Sequence, residues 1–507
     1  MGDFNAELDS ELVVGLVSAV GTENQWVIDL LKARLSDAGY RVDIVKVSSD
    51  VIPLLVDVPD HRNDKYQRVS ALMHAGNEAR AIDGAGDAVL ANGVASIIFS
   101  RRARDENGLP LPQAKTAIIV DSLKRPEEIA QLRLIYPSGF VSIGIHADEQ
   151  RRTKHLVHDE GMSADNAEDL IERDKDESAV EHGQRVNDTF HLADFFVQIT
   201  DDRDQLRCDI RRIVELWFGN PFITPTFDEH AMFLAFSAAL RSADLSRQVG
   251  AVVTRDSQIL STGANDCPKA GGGLYWPVRD SASSCICDHP LGRDYTRPEG
   301  DSNRDQQVRL IDDIIARANR AGLQFDRDLF FKVLDGSNIK DLTEYGRVVH
   351  AEMEALLACA RNGQSTVGAT LYCTTFPCHN CAKHIVAAGV KRVVFVEPYS
   401  KSKAEEFHND SIEVGQVRPN NDSEKVRFEA FVGIGPRRFF ELFSMNLGSS
   451  YKLQRKVKAT GAVREWRIDK AQLRLQMKPV SYLELETDAC FLFSSLQKIQ
   501  SPSNDHE

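Results

Sequence analysis

The chain has 507 residues, 42% of them hydrophobic and 27% charged, and a formal charge of −14. Its length exceeds what one hydrophobic core usually sustains, so two domains or more are expected, and the composition is that of a globular chain, not a disordered or fibrous one. The acid excess argues against a protein built to coat nucleic acid, and no apolar run reaches the roughly 18 to 20 residues that span a bilayer.

Met1 to Ser10 is acidic and lacks the basic start and apolar core of a secretory leader, so a cytoplasmic location with no membrane partner is expected. Nine cysteines are too few for a disulfide scaffold at this length. The pair Cys378 and Cys381 therefore reads as metal-binding or redox-active.

In chain order, Leu12 to Ala19 reads as a strand, and Trp26 to Ala38 as an amphipathic helix stopped by Gly39. Apolar runs at Ala95 to Phe99, Thr116 to Val120 and Phe140 to Ile145 predict further strands alternating with helices, hence a parallel α/β sheet of βαβ units. Arg151 to Arg185 is strongly charged and is expected to be a solvated helical arm or a mobile lid.

A second unit starts near Phe227. Asp228 is placed to cap a helix running to Ala243, and Gln248 to Thr254 and Gln258 to Gly263 predict two strands turning at Arg255 to Ser257. The stretch Asp266 to Gly346 is rich in Gly and Pro and reads as an insertion, helical from about Arg304 to Arg320. Regular alternation resumes with helix His350 to Arg361, strand Ala369 to Thr375, helix Cys378 to Ala388 and strand Arg392 to Glu397. These boundaries predict a domain over 1–220 and a second over 221–507 with its insertion at about 266–346.

The strongest chemical signal is His350-Ala351-Glu352 followed by Pro377-Cys378-His379-Asn380-Cys381. Zinc takes thiolate and imidazole ligands in a tetrahedron, and a catalytic site keeps one position for water. Two cysteines three apart at a helix start can face one metal, with the free amides and helix dipole favouring thiolate. Glu352 then stands beside the water as proton shuttle without being a ligand. The pattern is the known signature of zinc deaminases. The competing readings are a structural zinc site, which would need four protein ligands, and a redox Cys-x-x-Cys, which has no use for the histidine-x-glutamate pair.

On those residues, and on Arg247-Gln248-Val249-Gly250-Ala251-Val252-Val253 and Ser261-Thr262-Gly263-Ala264-Asn265, the region from Asp228 to Arg438 resembles the deoxycytidylate deaminase family. The resemblance implies a cytidine-deaminase-like α/β/α three-layer domain, one catalytic zinc ion and attack of hydroxide on C4 of cytosine. It also implies that Asn265 meets the deoxyribose hydroxyl, that Ala251 and Tyr399 lie near the base, and that Arg247 meets phosphate. Plain alternatives stand beside these: an exposed strand-end charge for Arg247, a turn residue for Asn265, a core aromatic for Tyr399. Relatives of the family sometimes carry a structural zinc in the region of the insertion, so Cys267, Cys285, Cys287 and His289 are candidates for a second metal.

Gly15 to Thr22 lies between the first strand and helix, where a phosphate-binding loop would be. The usual loop has four residues between its glycines and ends in Gly-Lys-Ser or Gly-Lys-Thr, whereas here five separate Gly15 from Gly21 and Thr22 follows with no lysine. Gly15, Ser18, Gly21 and Thr22 could still cradle phosphate through backbone amides. With Ala117 to Asp121 and Ala193 to Phe196, the first domain resembles a degenerate P-loop kinase-like parallel α/β fold, expected to be regulatory and to bind a nucleotide. The pairing of the two domains resembles bacterial anti-phage deaminases that deplete dCTP and dCMP. That resemblance implies a small RNA antitoxin as partner and a homo-oligomer. The alternatives are an RNA-regulated toxin–antitoxin module with secondary deaminase activity, and a deaminase of single-stranded nucleic acid.

Overall fold

The computed structural model describes residues 10–61, 63–175, 183, 185–281, 284–298, 300–323, 326–334, 337, 345–399, 402–415, 424–447, 451–477 and 482–499. Two compact units emerge, one formed by Met1–His230 with Ala430–Glu507 and the other by Ala231–Glu429.

In the first unit, β1 (Leu12–Ser18), β2 (Arg41–Lys46), β3 (Thr116–Leu123), β4 (Phe140–His146) and β5 (Phe195–Gln198) lie in the order β5-β4-β1-β3-β2 with every pairing parallel. β1 is central and buried along its whole length, which is why it reads as a nearly continuous apolar run, the mark of a parallel strand covered on both faces. The helices include α1 (Asn24–Asp37), α2 (Val89–Ser100), α3 (Ala164–Lys175) and α4 (Arg203–Trp217). The architecture is thus the expected parallel α/β sheet, with two differences in its parts.

The apolar run Ala95 to Phe99 is not a strand but the end of α2, whose buried Val89, Leu90, Val94, Ala95 and Ile98 recur at helical spacing. An apolar run alone does not separate a buried helix from a buried strand. β2 has the opposite character: it is an edge strand, mostly half-buried or exposed, and so carries little apolar signal.

The charged segment from Arg151 is not a solvated arm over its described part. Leu156, Met162, Ala167, Leu170 and Ile171 pack with Met73 into a small core of their own, so α3 buries an apolar face beneath its charges. Most of that segment beyond residue 175 lies outside the described residues.

The chain after Ala430 returns to the first unit instead of completing the second. Gly433–Ile434 adds an antiparallel strand to β5, and the helix Tyr482–Ile499 packs on α2. Buried charge marks this return. Arg102 is held between Glu486, with which it shares two hydrogen bonds, and Glu11 at 3.0 Å. Tyr136 donates to Glu486 at 2.5 Å and Tyr482 donates to Glu11. Every member is nearly or fully buried, so each polar atom depends on the others. Removing one member of such a set leaves uncompensated buried charge. Arg102→Met should therefore cost the first unit about 3–5 kcal/mol, measured as a lower urea midpoint by tryptophan fluorescence, to which Trp26, Trp217 and Trp466 of that unit contribute; an unchanged midpoint would show the cluster to be dispensable.

The second unit holds a six-stranded sheet. β6 (Gly250–Arg255) and β7 (Gln258–Ala264) form an antiparallel hairpin with Asp256 and Ser257 at positive φ, the two-residue turn that strand twist favours. β8 (Val278–Arg279) and β9 (Ile286–Cys287) make a separate ribbon in the insertion. β10 (Thr370–Thr375) pairs antiparallel with β6 and parallel with β11 (Arg392–Glu397), and β12 (Ile412–Val414) and β13 (Val426–Ala430) complete the order β12-β13-β11-β10-β6-β7.

Two glycines explain how helices cover this sheet on both sides. A Cβ at Gly250 would lie 1.9 Å from the Ala235 carbonyl oxygen in the helix Phe227–Ala239, and one at Gly263 would lie 2.2 Å from the Ala351 carbonyl oxygen in α5 (Ala351–Arg361). Gly263 is paired with Ala251, the neighbour of Gly250, and directly opposite residues share a face while successive ones alternate. The two helices therefore lie on opposite faces, giving the α/β/α layering. α6 (His379–Ala387) packs beside α5.

Candidate active site

His350 is the N-cap residue of α5 and Cys378 the N-cap residue of α6, each with extended backbone, and Cys381 stands in the first turn of α6. Two helix starts thus converge. Both Cys378 Sγ and Cys381 Sγ lie 3.4 Å from His350 Nδ1, and the three ligand atoms are all within 4.8 Å of one another. Zinc bound to sulfur at about 2.3 Å and nitrogen at about 2.0 Å on a tetrahedron requires a sulfur–nitrogen separation of about 3.5 Å. The observed spacing fits a single zinc ion.

Electrostatics separate the two thiols: the hydrogen bond to Cys378, and then burial, push Cys381 well above the usual thiol range, so Cys378 is the one that ionises first. Hydrogen bonds from Cys381 and then His350 draw the Cys378 thiol down to about 3, and the Cys378 contact pushes His350 up to about 9. A group that readily becomes thiolate is what a zinc site needs.

Glu352 lies in the first turn of α5, 4% exposed. Burial raises its pKa and the neighbouring His350 opposes that rise. Behind it on β10 sits Cys373, fully buried, its thiol pushed up first by that burial and then by the charge of the neighbouring Glu352. Cys373 is directly opposite Ala251, which is directly opposite Gly263, so all three share the face that α5 covers. Cys373 has no place in the sequence motif. The period-2 alternation of β10, which puts residues 371, 373 and 375 on one face, is the signal that could have found it.

The other expected substrate residues divide. Arg247 and Tyr399 come together, the guanidinium 5.2 Å from the ring centroid and 3.8 Å from Glu397. Glu397 also accepts from Thr375 at 2.7 Å. These groups lie where β10 and β11 end and β6 begins, the carboxyl edge at which open α/β sheets bind ligands. Asn265 is nearly buried; its carbonyl accepts from the Val249 amide at 2.7 Å and its amide donates to the Arg247 carbonyl at 2.8 Å. It fixes the backbone that carries Arg247. Ala251 has no accessible surface.

The insertion closes on itself at its base. Asp266 and Val349 exchange two backbone hydrogen bonds, at 3.0 and 3.3 Å, immediately before His350. Arg347 pairs with Asp294 at 2.6 Å. The second-metal candidates are not assembled: Cys267 is buried and donates to Asp294, Cys285 and Cys287 are exposed on the β8–β9 ribbon, and His289 accepts from Leu291. Among the described residues, the set at His350 alone has metal-binding geometry.

The loop from Gly15 to Thr22 meets an anion, and it is the chain's own. The Val20 amide donates to Asp174 at 2.6 Å, and Lys124 bridges the Asp174 carboxylate and the Ser18 carbonyl at 2.8 Å each. Gly21 adopts positive φ against the Arg152 backbone, and Thr22 Oγ1 is buried without a hydrogen-bond partner among the described residues.

Against known proteins, residues 225–397 match the family model of the cytidine and deoxycytidylate deaminase zinc-binding region. The deoxycytidylate deaminase of Enterobacteria phage T4 is 30% identical over 199 residues, 39% of this chain and 92% of the phage protein. That of Pongo abelii is 33% identical over 227 residues, 45% of this chain and 91% of the relative. The dCMP deaminase of cyanophage S-TIM5, solved with dCMP and dUMP, aligns at 20% identity and a TM-score of 0.23, covering 41% of this chain and all of that one.

Two outcomes follow from the geometry. Dialysis against a chelator should remove one zinc per chain and abolish turnover, with recovery on zinc addition, and Cys378→Ser should purify with less than about a tenth of the metal. Elemental analysis decides both. Gly263→Ala should lift α5 from β7, costing about 1–3 kcal/mol of stability and lowering turnover at least tenfold; full activity in that variant would show that the contact does not set the site.

Proposed function

The chain belongs to the deoxycytidylate deaminase family, and on that premise we propose that it hydrolyses the C4–amine bond of free deoxycytidine nucleotides, dCMP and dCTP, giving the uracil nucleotide and ammonia. The observation that carries this reading is the convergence of His350, Cys378 and Cys381 beside a buried Glu352.

Zinc, when bound to those three side chains, supplies the Lewis acidity that makes a water reactive near neutral pH. Glu352 accepts a proton from the attacking water and delivers it to ring N3. The new oxygen–carbon bond forms at C4, Glu352 takes the proton left on that oxygen and passes it to the amine, and the carbon–nitrogen bond breaks to release ammonia and leave the C4 carbonyl of uracil. Its raised proton affinity suits a group that must both take and return protons.

For substrate, Arg247 at the open edge is assigned to phosphate and Tyr399 to the base. Asn265 is assigned to the deoxyribose hydroxyl, acting from a side chain already locked to the strand. The choice of free nucleotide over polymer is supported by the acid excess of the chain, which disfavours binding along a polyanion. Depletion of the deoxycytidine nucleotide pool during phage infection is the physiological extension of the reading. It is supported by the union of a deaminase unit with a second α/β unit in one chain.

Purified protein incubated with dCMP, dCTP, CMP, CTP and single-stranded DNA should release ammonia from the first two; activity confined to DNA would overturn the proposal. Glu352→Gln should lower kcat by about 10²–10⁴ while zinc content stays near one per chain. Retained turnover would remove Glu352 from its role.

A further inference from the structure

Although the chain is acidic, the stretch from Tyr451 to Arg474 holds eight lysines and arginines against two acids. This stretch lines, with Phe218, Gly219 and Pro221, a half-open cavity of about 450 Å³. That volume is in the range of small-molecule sites.

The cavity is built and held in shape by specific contacts. Trp466 donates its indole N–H to the Phe218 carbonyl at 3.2 Å, and the Tyr451 hydroxyl donates to the Gln472 carbonyl at 2.7 Å. Gly219 has positive φ, and a Cβ there would lie 2.4 Å from the Tyr451 hydroxyl. Only glycine lets the ring lie against that turn.

The charge in the walls is unbalanced. Lys452, Arg464, Arg467 and Lys470 line the cavity with Glu465 as the acid among the lining residues. Arg467 pairs with Asp469, while Lys452 and Lys470 have no ion pair among the described residues. Behind Tyr451 stands Arg474, 1% exposed, with Nε and Nη1 lacking any hydrogen-bond partner and no carboxylate in salt-bridge reach among the described residues. Burial disfavours this cation, although Glu441 favours its charge from beyond salt-bridge reach and Nη2 donates to the Ser444 carbonyl at 2.5 Å; in a low-dielectric wall its field carries into the adjoining cavity.

We propose that this cavity is a binding site for a nucleoside polyphosphate, with the phosphates on Lys452, Arg464 and Lys470 and the base against Trp466. Aromatic faces accept any base by stacking, and clustered cations at a rim accept phosphate. The site shares no residue with the Gly15–Thr22 loop or with the zinc site.

The test uses full-length protein and ATP as probe, followed by calorimetry and by tryptophan fluorescence. ATP should bind, and an excess of dCMP should not displace it. The exposed-residue variant Arg464→Glu/Lys470→Glu, with unchanged circular dichroism, should weaken ATP at least tenfold. Trp466→Phe should weaken ATP severalfold and leave inorganic tripolyphosphate unaffected. No ATP binding, unchanged affinity in the double charge variant, displacement by dCMP, tripolyphosphate binding as tightly as ATP, or binding of a single-stranded RNA oligonucleotide in place of ATP would each overturn the proposal.

Discussion

A strand and a helix approach each other in the deaminase unit more closely than any side chain allows, and the catalytic geometry hangs on that approach. Gly263 lets the first turn of the helix beginning at Ala351 rest directly on the sheet. That turn carries Glu352, and its N-cap residue is His350. With the helix height fixed, His350 meets the two cysteines presented by the next helix start, and Glu352 meets Cys373 from above. Moving the helix outward by the radius of one methyl group would shift Glu352 and His350 together, while Cys378 and Cys381 stayed behind.

Helix starts serve the chemistry twice here. Capping places His350 and Cys378 just outside their helices with extended backbone, so their side chains point away from the helix bodies and toward each other. Free amides at those ends favour the thiolate that a zinc ligand requires. The first unit uses buried charge differently, with Arg102 clamped between two glutamates to tie its last helix to its first strand.

Much of the site is legible in the sequence because metal ligation demands fixed residue types at fixed spacing. His350, Glu352, Cys378 and Cys381 announce themselves, and the hairpin at Asp256 and Ser257 follows from local turn chemistry. Tertiary relations are not legible. Cys373 matters through what lies across from it, Gly263 through a helix that begins 88 residues later in the chain, and Asp174 through a loop far upstream. The helix ending at Ser100 looks like a strand in the sequence for a related reason: an apolar run reports burial before it reports geometry. The return of residues after Ala430 to the first unit rests on Glu486 meeting Arg102, a pairing that neither residue's neighbours in sequence foreshadow.

The two backbone hydrogen bonds between Asp266 and Val349 pin together the two ends of the segment between them. A segment tied at its base by its own ends passes less of its length on to the residue that follows, His350, than an open loop would. Such a stem is a natural graft point. Lineages could lengthen, trim or replace the segment at little thermodynamic penalty, since closure entropy grows only logarithmically with loop length, and new recognition elements could be tried beside an old reaction without disturbing it.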